Sequence, residues 1–170
     1  LIFLKAAIAP TRTLFIIDGY KSKGTDVHPY PHHYIVEVQA GSTGSVALSG
    51  AGLATLQCAP PAQFDGPGDQ WSPENLLTGA VADCFVLTFR AIARASKLDW
   101  SRLECRVDGV LDRVEGVTQF VVMNIHARLT APATTDRDKA GHLLAKAEKS
   151  CLVSNSLKCE MKLETELLSD

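Results

Sequence analysis

Apolar residues fall along this chain in two distinct periods. Residues 103–111 alternate Leu103, Cys105, Val107 and Leu111 with Glu104, Arg106 and Asp108. Residues 120–129 set Val121, Met123, Ile125, Ala127 and Leu129 against Asn124, His126 and Arg128. A period of two predicts strands with one covered face and one polar face. Glu115-Gly116 between them reads as a hairpin turn. Residues 159–167 repeat the pattern, with Cys159, Met161, Leu163, Thr165 and Leu167 on one side and Glu160, Lys162, Glu164 and Glu166 on the other. Shorter strands are expected at 34–38, 45–48 and 53–57, punctuated as hairpins by Gly41, Gly44, Gly50 and Gly52.

The second period is helical. Leu76, Leu77, Ala80, Val81, Cys84, Leu87, Thr88 and Ala91 recur at steps of three and four. Ser72 suits the N-cap, Pro73 the first helical position, and Glu74 adds negative charge to the first turn. The stripe is broad, with Phe85, Val86 and Phe89 partly outside it, so this helix is expected to be buried on several sides. A second helix is predicted from about Asp136 to Lys149, followed by a short helical segment opening at Ser150-Cys151. The order strands, helix, strands, helix, strand predicts an α+β domain with mostly antiparallel pairing.

Residues 1–31 read as an N-terminal extension and connector, and residues 32–170 as the main domain. The apolar runs at 1–9 and 14–17 are broken by Lys5, Pro10 and Arg12, and no stretch is expected to reach the ~20 apolar residues of a membrane span. They lack the basic leader of a secretory signal, so an extension that docks on the domain, or an arm, is expected. His28, His32 and His33 read as part of a turn-rich linker rather than as a metal site. Residues 59–71 form a Pro/Gly loop of a length often used for function.

Composition narrows the functional classes. In 170 residues, 17 Lys and Arg stand against 19 Asp and Glu, a formal charge of −2. That argues against a nucleic-acid binder or an anionic-membrane binder, both of which need a basic surface. At 46% hydrophobic and 21% charged, the chain is not a disordered one.

The chemistry then rests on five cysteines, Cys58, Cys84, Cys105, Cys151 and Cys159. None forms a CxxC pair or has a His at zinc-finger spacing, so no metal site is expected. Their odd number and wide spacing indicate a reducing, cytoplasmic compartment. Cys105 and Cys159 lie on apolar strand faces and, with Cys58, read as small buried hydrophobes. Cys84 sits inside the long helix and Cys151 at a helix junction, where free N–H groups favour a thiolate. Either is a candidate reactive thiol, and only the fold could bring the two together.

Ser72-Pro73-Glu74-Asn75-Leu76-Leu77, followed by Ala82-Asp83-Cys84-Phe85, resembles the first motif of the OsmC/Ohr family of osmotically inducible and organic hydroperoxide resistance proteins. Residues 147–155, AEKSCLVSN, resemble its second motif, a Cys shortly before Ser-Asn. The Gly-rich loop at 64–69 is similar as well, and the resemblance covers about residues 34–167. It implies antiparallel sheets wrapped around central helices in an intertwined homodimer, with active sites at the subunit interface. It implies thiol-dependent reduction of organic hydroperoxides: Cys84 becomes a sulfenic acid, Cys151 condenses with it to a disulfide, and an external dithiol, of lipoyl type in one branch, re-reduces the pair. No cofactor is implied. Gln63, Phe64 and Phe85 become candidate pocket residues, with Trp71 a further wall candidate.

One feature departs from the family pattern. Its peroxidases stabilise the thiolate with an Arg held by a Glu, and Glu74 matches that Glu. The two places where the Arg is expected hold Ser42 and Gln63, neither of them charged. Arg90, Arg94, Arg106, Arg128, His33 and His126 are candidate substitutes. A small-molecule-binding or redox-sensing module without efficient turnover is the alternative reading.

Overall fold

Two three-stranded sheets differ sharply in how much of the chain covers them. The computed structural model describes residues 29–170, of which His33–Asp170 form one unit. The extension expected at residues 1–31 lies almost wholly outside the described residues.

The first sheet is an antiparallel meander of β1 (Glu37–Ala40), β2 (Val46–Ser49) and β3 (Leu56–Cys58). Its first strand starts later than the apolar run that predicted it. Tyr34, Ile35 and Val36 are 89%, 77% and 64% exposed, and none of the described strands pairs with them. Among the described residues, no helix packs extensively on this sheet.

A loop then leads through a single 3₁₀ turn, Ala62–Phe64, to the first long helix. The turn closes tightly: a Cβ on Gly66 would collide with the Pro60 carbonyl, so only glycine fits there. Helix α1 (Pro73–Ala95) begins as its sequence predicts. Ser72 Oγ accepts from the Asn75 amide at 3.2 Å, and Asn75 Oδ1 accepts in return from the Ser72 amide at 3.4 Å. Such a reciprocal cap satisfies two of the four free donors of a helix start.

The second sheet carries the core. β4 (Arg102–Val114) and β5 (Val117–Ala131) form a long hairpin. Its two-residue turn, Glu115 and Gly116, has φ of 51° and 84°, the positive pair a tight hairpin needs. Helices α2 (Arg137–Ser150) and α3 (Leu152–Asn155) then cross over to β6 (Glu160–Ser169), which joins β5 in parallel. A parallel return needs such a crossover, whereas a hairpin turn suffices for antiparallel neighbours. Asp136 caps α2 by accepting from the Lys139 amide at 3.0 Å.

Val81, Phe85, Phe89 and Ala93 follow one another at helical spacing along one side of α1 and are fully buried. They form one cluster with Ala140, Leu143, Leu144 and Ala147 of α2 and Ile125, Ala127 and Leu129 of β5. Phe89 meets Trp100 edge to face, centroids 5.4 Å apart. The alternation read along β5 is thereby realised.

Two expectations change. Helix α1 is long and apolar enough, by length and composition, to cross a membrane. Asp83, Thr88 and Arg90 interrupt its apolar residues along the sequence, so no unbroken run signals it. In the fold, its Val81–Phe85–Phe89 side packs against α2 and β5, while Leu87 on the other side is half exposed. The second change is Phe85. It was expected at a pocket wall but is a core residue, because its position lies on the helix side that faces α2 and β5.

Candidate functional site: a thiol pair and a neighbouring cleft

Helix α1 brings Cys84 to the start of α3, where Cys151 is both the C-cap of α2 and the N-cap of α3. Cys151 turns the chain with φ −68° and ψ 117°, which ends one helix and leaves the first amides of the next without helical partners. Those amides, from Leu152 and Val153, face the Cys84 sulfur. The two cysteines that the sequence set apart are thus neighbours, and all five described cysteines are reduced.

The two thiols differ in acidity. Burial is the largest influence on Cys84 and pushes its pKa up. The Val153 amide, the Cys151 thiol, the Thr88 hydroxyl and the Leu152 amide together outweigh it, so the pKa is lowered. Of these, Thr88 meets ordinary sulfur hydrogen-bond geometry, Sγ to Oγ1 4.0 Å. The others approach less directly. Cys151 is fully buried, and its pKa is raised, first by burial and then by the neighbouring Cys84. The Ser154 amide and hydroxyl pull it the other way, although the hydroxyl finds no partner at regular hydrogen-bond geometry. The arrangement therefore favours a thiolate at Cys84 with a protonated Cys151 beside it.

Every group that lowers the Cys84 pKa is neutral. The candidate cations are accounted for in part. Arg128 lies on the outer sheet face, 2.8 Å from Glu166 and 3.7 Å from Glu104. His126 pairs with Glu164 at 3.0 Å on the same face. Arg106 is exposed there too, beside them. None of the three serves the thiolate.

The remaining predicted site residues gather elsewhere. Gln63, Phe64 and Glu74 line a cleft of about 620 Å³ between the loop before α1, the first turns of α1 and the β4–β5 hairpin. Cys84 and Cys151 are not among its lining residues. Ten residues of helix separate Glu74 from Cys84, roughly 15 Å. Trp71 is half exposed and forms a bridge to Cys58. At the cleft floor, β4 comes so near α1 that a Cβ on Gly109 would meet Thr78 Oγ1 at 2.8 Å and Met123 Sδ at 2.9 Å.

Sequence reasoning missed Thr88 as a site residue, although its place four residues after Cys84 puts it on the same helix face. It also missed the amides of Leu152 and Val153, which carry no side-chain signature. Among the described residues, no group of three His, Cys, Asp or Glu is placed to hold a metal ion.

Neighbouring free thiols, of which one has its pKa lowered, on an α+β frame with a long helix buried along one side, rather than on several as its sequence suggested, define a thiol-bearing protein of OsmC-like architecture. The family model "OsmC-like protein" matches residues 66–166, more than half of the chain, and the chain belongs to that family. An uncharacterized protein of Bacillus subtilis, YmaD, is 27% identical over 139 residues, covering 79% of this chain and 93% of its own length. An OsmC-like protein of unknown function from Vibrio cholerae superimposes with a TM-score of 0.74 at 14% identity, over 79% of this chain and 99% of that one. A structure from Legionella pneumophila, described as an organic hydroperoxide resistance protein OsmC, has a TM-score of 0.65 at 23% identity, over 82% of this chain and 99% of that one. At these identities, the structural likenesses establish the fold.

Proposed function

We propose that the protein is a thiol-dependent peroxidase that reduces organic hydroperoxides through Cys84 and Cys151. The arrangement that carries this reading is the placing of Cys84, beside Thr88, next to Cys151 at the junction of α2 and α3, where neutral donors lower the pKa of Cys84 and burial raises that of Cys151. The Cys84 thiolate attacks one oxygen of the hydroperoxide and the O–O bond breaks. The alkoxide leaves and takes up a proton as the alcohol, and Cys84 becomes a sulfenic acid. The Cys151 thiol attacks that sulfur, water departs, and a disulfide forms. An external dithiol, of the lipoyl type that the family resemblance suggests, restores both thiols by exchange. The reducing, cytoplasmic compartment read from the cysteines suits that exchange.

We further propose that the working unit is a homodimer. The β1–β3 sheet and the segments flanking its strands expose Val38, Ile35, Val36 and Leu53, and α1 leaves Leu87 half exposed. A second copy would cover both. On this reading Glu74 acts across the interface, in the cleft of one protomer against the thiols of its partner. Residues 32–170 form the catalytic domain, with 1–31 an extension to it.

Stopped-flow mixing with tert-butyl hydroperoxide, with dihydrolipoamide as donor, tests the peroxidase reading. Turnover is expected, lost in Cys84→Ser and arrested at sulfenic acid in Cys151→Ser. A wild-type rate no faster than that of free thiol would end it. The absence of a cation acting on Cys84 among the described residues favours one second reading, a redox sensor. That reading expects stoichiometric oxidation with no turnover under any dithiol.

A further inference from the structure

We infer that the Ser154 hydroxyl donates a hydrogen bond to the Cys151 sulfur whenever that sulfur is a thiolate, and so speeds both the formation and the re-reduction of the Cys84–Cys151 disulfide. The inference rests on the chemistry proposed above for that pair. Ser154 is the third residue of α3, the helix that Cys151 opens. It is 5% exposed, and its Oγ is covered by protein with no partner at regular hydrogen-bond geometry. In a capping box, a side chain at this position accepts from the amide of the capping residue. Here that amide is taken, since Cys151 N–H donates to the Glu148 carbonyl at 3.2 Å. The Cys151 side chain makes no cap bond either. A buried hydroxyl without a partner is costly, and in a redox site it is explained if the partner exists in another state of the cycle. In the reduced protein Cys151 is a buried, protonated thiol, a weak acceptor. As a thiolate it becomes a strong one.

That thiolate arises twice. In the resolving step Cys151 gives up its proton and attacks the Cys84 sulfenic acid. The S–S bond forms as the S–O bond breaks, and the departing hydroxide takes up the proton to leave as water. In re-reduction, access decides which sulfur is attacked. Cys151 is sealed inside its own chain, so a dithiol reductant attacks Cys84, the sulfur that also meets the peroxide. The disulfide breaks and Cys151 leaves as a thiolate, which then takes up a proton. The second thiol of the reductant closes onto the first and releases Cys84. The reductant becomes a disulfide, and its two electrons reduce the protein's own. Burial makes Cys151 a poor leaving group, and the hydroxyl and amide of Ser154 are the neutral donors that oppose this. The titratable groups that interact with Cys151 are thiols too, Cys84 of α1 and Cys105 of β4.

Diamide forms the Cys84–Cys151 disulfide in the whole protein without peroxidase activity. Its reduction by dithiothreitol at pH 7, followed by acid quench and mass spectrometry, tests the inference. Ser154→Ala should slow this reduction about fivefold or more, and Ser154→Thr, which keeps the hydroxyl, should recover most of the rate. In Ser154→Ala the rate of the resolving step should shift to higher pH, while sulfenic acid formation at Cys84 keeps its rate within about twofold. The melting temperature of reduced Ser154→Ala should not fall, since the hydroxyl removed is bonded to nothing in that state. The inference is overturned if Ser154→Ala is reduced at the wild-type rate, if both steps slow together as the protein loses stability, or if diamide joins no 84–151 pair. A slowed reduction in Ser154→Ala, beside a wild type that does not turn over tert-butyl hydroperoxide, would uphold the role of Ser154 and defeat only the peroxidase reading.

Discussion

Cys84 and Thr88 lie one turn apart on α1, with Sγ 4.0 Å from Oγ1. A hydroxyl that donates to a thiolate favours the charged form, and with no cation contributing here, each neutral donor carries more of the effect. Thr88→Val keeps the shape and removes the donor. Its Cys84 should titrate at higher pH than in the wild type, and its reaction with iodoacetamide below that pH should slow several-fold. Thr88→Ser should restore both. The pH profile of alkylation at position 84, read by mass spectrometry, checks this, and an unshifted profile in Thr88→Val would refute it.

Cys105 offers a test of pH-dependent stability. Burial, with a smaller contribution from Cys151, raises its pKa from 9.0 to about 11. Below 9 the thiol is protonated in both folded and unfolded chains, and its contribution to stability is fully present. Between 9 and 11 the unfolded chain releases the proton and the folded one does not, so stability falls as pH rises through that window. Urea unfolding at pH 8 and pH 10.5 should show a smaller alkaline loss in Cys105→Val than in the wild type. Equal losses would count against the assignment.

Phe85 and Phe64 should separate cleanly. Phe85 is fully buried and Phe64 is 53% exposed. Phe85→Ala leaves a cavity in the main cluster and should cost about 3–5 kcal/mol. Phe64→Ala should cost less than about 1 kcal/mol, since it loses little buried area. Chemical denaturation of both variants decides between a core residue and a wall residue.

Gly109 lies where β4 comes close to α1. Adding a methyl group pushes against Thr78, Met123 and Phe120. Gly109→Ala should destabilise the protein by about 1–3 kcal/mol, the usual range for overpacking. A melting temperature equal to that of the wild type would show that the cleft floor is slack.

The elements themselves were legible because each depends on neighbours in sequence. The alternation around Met123 and Ile125 set β5, Ser72-Pro73 set the start of α1, Asp136 set that of α2, and Glu115-Gly116 set the turn. What escaped was what depends on orientation. Phe85 and Cys84 are adjacent, yet a 100° step around the helix sends one into the core and leaves the other at α3. Residues 34–36 have the composition of a strand, yet none of the described strands pairs with them.

The site divides along the same line. The sequence alone determined which residues have the chemistry: two cysteines in motifs that resemble one family, a carboxylate at a helix start, and no Arg where that family places one. Tertiary structure alone decided that Cys84 meets the amides of Leu152 and Val153, that Glu74 opens instead onto a cleft with Phe64 and Gln63, and that β6 returns parallel to β5. Residue type and local period are written in the order of the chain. The acidity of a thiol and the company of a carboxylate are set by atoms far away in that order, which only packing brings within a few ångströms.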